Sequence, residues 1–126
     1  MKRYYLTATA VSAALGLSGP TLAGDASAGV RAFKTSCSAC HGVTASAVGV
    51  GPTLFGVVGR KSGTQAAYAA RFSPVMKKAA RTWTADAIKA YIANPAGSLP
   101  GNRMAFAGVK NPVQVDNIVA YLVTLR

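Results

Sequence analysis

Both cysteines and the single histidine of this 126-residue chain fall within one short stretch, Ser36-Cys37-Ser38-Ala39-Cys40-His41-Gly42. C-x-x-C-H reads as a covalent haem attachment site. Two thiols three positions apart on an incipient helical turn can each form a thioether to one vinyl group of a protohaem. The adjacent imidazole is then held under the ring, where its nitrogen can bind the iron as proximal ligand.

Three other readings of the same residues fit less well. A C-x-x-C disulfide oxidoreductase needs its pair at a helix N-terminus after a buried strand, and no β-rich run precedes Cys37. A structural zinc site wants four protein ligands, whereas the chain offers two Cys, one His and, as oxygen donors, only Asp25, Asp86 and Asp116. A disulfide suits an exported chain, but this one would close a very short loop and gain little.

The start of the chain reads as a secretory leader. Lys2 and Arg3 form a basic start, Leu6 to Leu17 an apolar stretch, and Thr21-Leu22-Ala23 ends on the small residue that a signal peptidase needs. The apolar stretch is too short, and too rich in Thr and Ser, to span a bilayer. Residues 1–23 are therefore expected to be a signal peptide, and 24–126 one domain, periplasmic after export and with no stable membrane insertion. Lys2-Arg3 is not a twin-arginine pair, so an unfolded chain would be threaded across and haem added outside the cytoplasm. A domain this small buries a modest core, so the apo form should fold poorly.

Helical signals then recur along the chain. Asp25 can cap a first helix running to the haem motif, with Gly29, Phe33 and Cys37 spaced by four along one face. From Gly42 to Gly63, glycine at 49, 51, 56, 59 and 63 together with Pro52 marks loop. Ser73-Pro74 reads as the start of a short helix through Arg81, and Thr84 as the cap of another carrying Ile88, Tyr91 and Ile92, stopped by Asn94-Pro95. Asn111-Pro112 opens a last helix with the stripe Val115, Ile118, Val119, Leu122 and Leu125. The reading is all-α.

A haem iron needs a sixth ligand or an open site. With no second histidine, a thioether is the natural soft partner. Met76 lies on a short helix and reads as gap-filling core. Met104 lies in a loop shaped by Pro100-Gly101, a setting suited to aiming one side chain, and is the expected ligand.

These residues carry a family resemblance. Phe33, Cys37-Cys40-His41, Gly51-Pro52-Thr53-Leu54, Gly59-Arg60-Lys61, Thr82-Trp83, Tyr91, Asn94-Pro95, Pro100-Gly101, Met104, Phe106 and Tyr121-Leu122 stand in the order and near the spacing of a class I cytochrome c. The chain resembles that family from about Gly29 to Leu125. The resemblance implies a small cytochrome c fold, four to five helices and glycine/proline-rich loops wrapped around one haem c bound through Cys37 and Cys40. It implies His41 and Met104 as iron ligands, and a Pro52 carbonyl that accepts the proton of the far imidazole nitrogen. It further implies that Arg60 and the Trp83 indole bond a haem propionate, that the Tyr91 hydroxyl lies near the distal ligand, and that Gly29 meets the C-terminal helix. Where the family commonly has a propionate-bonded tyrosine this chain has Phe72, and Tyr68 is the nearby hydroxyl.

The implied function is a periplasmic one-electron carrier of a respiratory or related chain, monomeric and not an enzyme. Alternatives are the subunit through which electrons enter a periplasmic dehydrogenase, or a five-coordinate haem peroxidase or sensor. Without Lys2 and Arg3, twelve basic residues face three acidic ones. Such a balance can bind nucleic acid, but export and the haem motif favour transient docking to acidic redox proteins at the exposed haem edge. Many family members carry lysines on the methionine loop. Here residues 94–109 have only Arg103, so the positive face would centre on Lys34, Lys61, Lys77, Lys78 or Lys110.

Overall fold

The computed structural model describes residues 23–126; the expected leader lies, but for Ala23, outside the described residues. Five α-helices follow one another: α1 (Ala26–Ser36), α2 (Pro74–Ala79), α3 (Ala85–Ala93), α4 (Pro95–Ser98) and α5 (Pro112–Val123), with a 3₁₀ turn at Ala66–Arg71 before α2. Among the described residues the only extended pairing is an isolated antiparallel bridge between Lys61 and Thr82. The fold is all-α.

Each helix begins where a side chain satisfies its first free amides. The Asp25 carboxylate accepts from the amides of Ser27 and Ala28 at 2.7 and 3.2 Å. The Ser73 hydroxyl accepts from the Met76 amide at 3.2 Å, Thr84 from Ala87 at 3.1 Å, and Asn111 from Val113 at 2.9 Å. Pro112 occupies the first turn of α5, where its missing N–H costs nothing.

Two boundaries differ from the sequence reading. Helix α2 stops at Ala79, short of Arg81, because Ala80 turns left-handed at φ 47°. Pro95 stops α3 but then opens the single turn α4, with the Asn94 side chain accepting from the Gly97 amide at 3.0 Å.

Helices α1 and α5 cross as the main packing pair. Phe33 is buried on α1 and meets the edge of the Tyr121 ring on α5, centroids 5.5 Å apart. Gly29 sits at the crossing: a Cβ there would run into the Asn117 carbonyl and lie 2.8 Å from the Tyr121 Cβ. Val115, Ile118, Val119 and Leu122 form the buried stripe of α5, together with Ile88 and Tyr91 of α3. This core is open on one side, where it forms the wall of a cavity.

Candidate functional site

A cavity of about 280 Å³ is lined mainly by apolar groups, and Cys37, Cys40, His41, Pro52, Arg60, Trp83, Tyr91 and Met104 all border it. All eight candidate residues, drawn from four separated parts of the sequence, are thus brought to one place. Ile118 and Leu122 of the core border it as well.

Cys37 is the C-terminal cap of α1, and the next turn continues from it, with the amides of Cys40 and His41 donating to the Cys37 carbonyl at 3.1 and 3.0 Å. The two thiols are not joined to one another. Burial, with a smaller contribution from Cys40, pushes the Cys37 thiol up to about 11. An oxidoreductase pair needs the opposite: a helix N-terminus and a depressed thiol pKa. Among the described residues no three His, Cys, Asp or Glu side chains are grouped to hold a metal ion. The zinc and redox-dithiol readings both lose their footing.

His41 is held from two directions. Its Nδ1 lies 2.8 Å from the Pro52 carbonyl oxygen. That oxygen can only accept, so Nδ1 carries the proton and Nε2 keeps a free lone pair. Gly51 backs the ring: a Cβ at Gly51 would clash with Cε1 and lie 2.7 Å from Nδ1. Burial lowers the imidazole pKa, opposed in part by the Pro52 bond, and so favours the neutral form that a metal requires. The loop that carries Gly51 and Pro52 is tied back to the motif, since the Gly51 amide donates to the Cys40 carbonyl at 2.8 Å and Leu54 to Gly42 at 2.9 Å. Thr53 is buried, and its hydroxyl donates to the Thr44 carbonyl at 2.6 Å.

Arg60 and Trp83 are brought together by backbone pairing. The Trp83 amide donates to the Arg60 carbonyl, and the Gly59 amide to the Trp83 carbonyl, each at 2.9 Å. The Arg60 guanidinium donates to the Phe55 carbonyl at 2.6 Å and to that of Thr53 at 3.2 and 3.3 Å. Burial lowers its pKa. The Trp83 ring is buried and stacks at a tilt on Tyr91, centroids 5.0 Å apart. The Tyr91 hydroxyl is buried without a hydrogen-bond partner among the described residues. A stranded polar atom beside an apolar cavity is what a site shaped for a further polar or soft group leaves behind.

Met104 owes its place to a residue the sequence reading passed over. The Asn102 side-chain oxygen accepts from the Met104 amide at 2.9 Å, while its amino group donates to the carbonyls of Pro95 at 3.0 Å and Leu99 at 2.9 Å. One amide side chain thereby fastens the methionine loop to α4. An Asn two residues ahead of the amide it serves is a recognisable turn former, so that half of its role was available in the sequence. Further along the loop, the Lys110 ammonium donates to the Ala107 carbonyl at 2.7 Å. Tyr68 spends its hydroxyl on the Val50 carbonyl at 2.7 Å.

The comparisons agree with this geometry. The family model described as "Cytochrome c" matches residues 26–126. The chain belongs to the cytochrome c family. It is 48% identical over 89 residues to cytochrome c2 iso-2 of Magnetospirillum fulvum, covering 71% of this chain and 91% of that one. Cytochrome c-550 of Nitrobacter winogradskyi is 44% identical over 100 residues, 79% of this chain and 89% of its own length. Among solved structures, cytochrome cH from Methylobacterium extorquens superposes with a TM-score of 0.74 at 45% identity, covering 80% of this chain and 99% of that one. Like these cytochromes, the protein is a one-electron carrier and not an enzyme, and its paired cysteines match a haem c attachment site. Among the described residues no helix is long and apolar enough to cross a membrane.

Proposed function

We propose that this cytochrome carries one haem c, attached through Cys37 and Cys40 and ligated by His41 and Met104, and that it shuttles electrons between periplasmic redox proteins. The observation that carries the reading is the state of His41: a neutral imidazole with Nδ1 committed to Pro52, beside a cavity that Met104 also borders. When bound, the haem iron supplies one-electron exchange between ferric and ferrous states.

The chain's own residues then do three things. Pro52 and Gly51 fix the tautomer and tilt of His41 and make it a better donor. Asn102 holds the backbone from which the Met104 thioether would reach the iron, and a thioether in an apolar pocket would favour the less charged ferrous form. Arg60 and Trp83 offer donors to the haem carboxylates, and the stranded Tyr91 hydroxyl would be met by the distal ligand. With His41 and Met104 both holding the iron, oxygen and peroxide would find no open ligand position, which separates this reading from a peroxidase or sensor.

Docking would occur at the edge beside Cys40, which is exposed, as are Ala39, Val50 and Ala105. Lys61 and Arg103 are exposed and border the cavity, and these cations would steer an acidic partner. The leader and the family together support periplasmic residence.

The test is spectroscopic. Protein from a host able to attach haem should be coloured, retain its pigment after denaturation, show the ferric sulfur-to-iron charge-transfer band, and bind carbon monoxide poorly. A colourless product, or ready carbon monoxide binding at neutral pH, would overturn the proposal.

A further inference from the structure

The Gly49–Val50 peptides, just upstream of the residues that grip His41, are held from across the cavity mouth by side chains of the 3₁₀ turn. The Arg71 guanidinium donates to the Gly49 carbonyl at 2.8 Å and to the Val50 carbonyl at 3.0 Å. The Tyr68 hydroxyl donates to the same Val50 carbonyl at 2.7 Å. The guanidinium carbon lies 4.4 Å from the centre of the Tyr68 ring, and the Phe72 ring meets Tyr68 edge-on at 4.9 Å. Cation–π contact and edge packing therefore orient the two donors toward one target.

We propose that Arg71 and Tyr68 are positioning residues for electron exchange, a latch that sets how firmly His41 is held. The proposal rests on the haem reading above. Gly51 follows directly on the latched peptides, and its Cα leaves no room between backbone and imidazole. Pro52 comes next and accepts the Nδ1 proton. A displacement at residues 49–50 is thus passed to the ring within two residues. The other bonds on this stretch, Gly51 to Cys40 and Gly49 to Gly51, tie it to the haem motif and to itself. The latch instead joins positions 18 to 22 residues apart. It also spans the mouth of the cavity, which Val50, Tyr68 and Arg71 all border. Opening it would let water reach the site, and a wetter site favours the more charged ferric state.

The latch lies at the surface, with Arg71 exposed, so it adds little to global stability. Its effect is local, and that makes it testable. Tyr68→Phe removes one bond without changing charge; Arg71→Lys keeps the charge and loses the planar fork. The haem-loaded protein, the two variants and their combination are compared in three ways. The double variant should exchange the Gly51 amide at least about fivefold faster, the cost of a lost hydrogen bond. It should move the paramagnetically shifted His41 ring resonances. It should also shift the ferric/ferrous balance severalfold toward ferric, with the melting temperature nearly unchanged. Arg71→Met serves as the charge control. Unchanged His41 resonances and Gly51 exchange in the double variant would overturn the latch, as would a potential that follows charge alone, altered in Arg71→Met but not in Arg71→Lys or Tyr68→Phe. A colourless parent protein would instead bring down the haem reading, and the redox role of the latch with it.

Discussion

His41 and Pro52 face each other across 2.8 Å, imidazole Nδ1–H to carbonyl oxygen, between residues eleven apart in the chain. The bond uses the Pro52 backbone, not its ring, and the neighbouring Gly51 supplies the clearance. Pro52→Ala should therefore keep the carbonyl and leave the axial chemistry nearly intact. Gly51→Ala places a methyl against the imidazole and should cost about 1–3 kcal/mol, as overpacking does. It should also weaken the ferric sulfur-to-iron band by tilting the ring. Urea unfolding and the ferric spectrum of both variants check this; equal effects from the two would sink it.

At the α1–α5 crossing the nearest obstacle to a larger residue at Gly29 is backbone, the Asn117 carbonyl. Backbone cannot rotate aside. Alanine improves an isolated helix by roughly 1 kcal/mol relative to glycine, yet Gly29→Ala should destabilise the holoprotein by at least about 2 kcal/mol because the two helices must part. Equilibrium urea unfolding reads the difference directly. A variant as stable as the parent would show that the crossing is loose.

Much of this was legible beforehand because the deciding chemistry is local. Asp25, Ser73, Thr84 and Asn111 announce helix starts from their own side chains, and the stripe of α5 is visible as spacing alone. The haem motif stands out by residue type, Met104 is preferred to Met76 for its loop setting beside Pro100-Gly101, and family resemblance supplied Pro52, Arg60, Trp83 and Tyr91. The turn of Ala80 was not legible, since alanine carries no mark of a left-handed backbone. Nor was the latch of Arg71, whose partners are carbonyls more than 20 residues away. Carbonyls belong to every residue, so sequence cannot say which ones a side chain will choose.

Ala80 is the one non-glycine residue with positive φ among the described residues, at 47°, and it is exposed. An L side chain in that region costs about 1–2 kcal/mol, part of which glycine returns through its larger unfolded-state entropy. Ala80→Gly should consequently stabilise the protein by about 0.5–1 kcal/mol. A raised urea midpoint with an unchanged slope would bear this out, and a lowered midpoint would refute it.

Burial drives the Tyr91 phenol from 10.0 up to about 12, with the Arg81 guanidinium pulling the other way. A folded value above the unfolded one means that folding favours the protonated phenol. Its contribution is complete below pH 10 and is lost as pH climbs toward 12, on the order of 2 kcal/mol in all. Tyr91→Phe keeps the ring against Trp83 and removes a hydroxyl that has no hydrogen-bond partner among the described residues. At neutral pH the variant should lie within about 1 kcal/mol of the parent, because an unpaired buried hydroxyl contributes little to folding. Between pH 10 and 12 the parent alone should lose stability to this ionisation, so the difference between the two shifts in favour of the variant by on the order of 2 kcal/mol. Parallel curves across that window would mean that the phenol ionises as freely in the folded protein as in the unfolded chain.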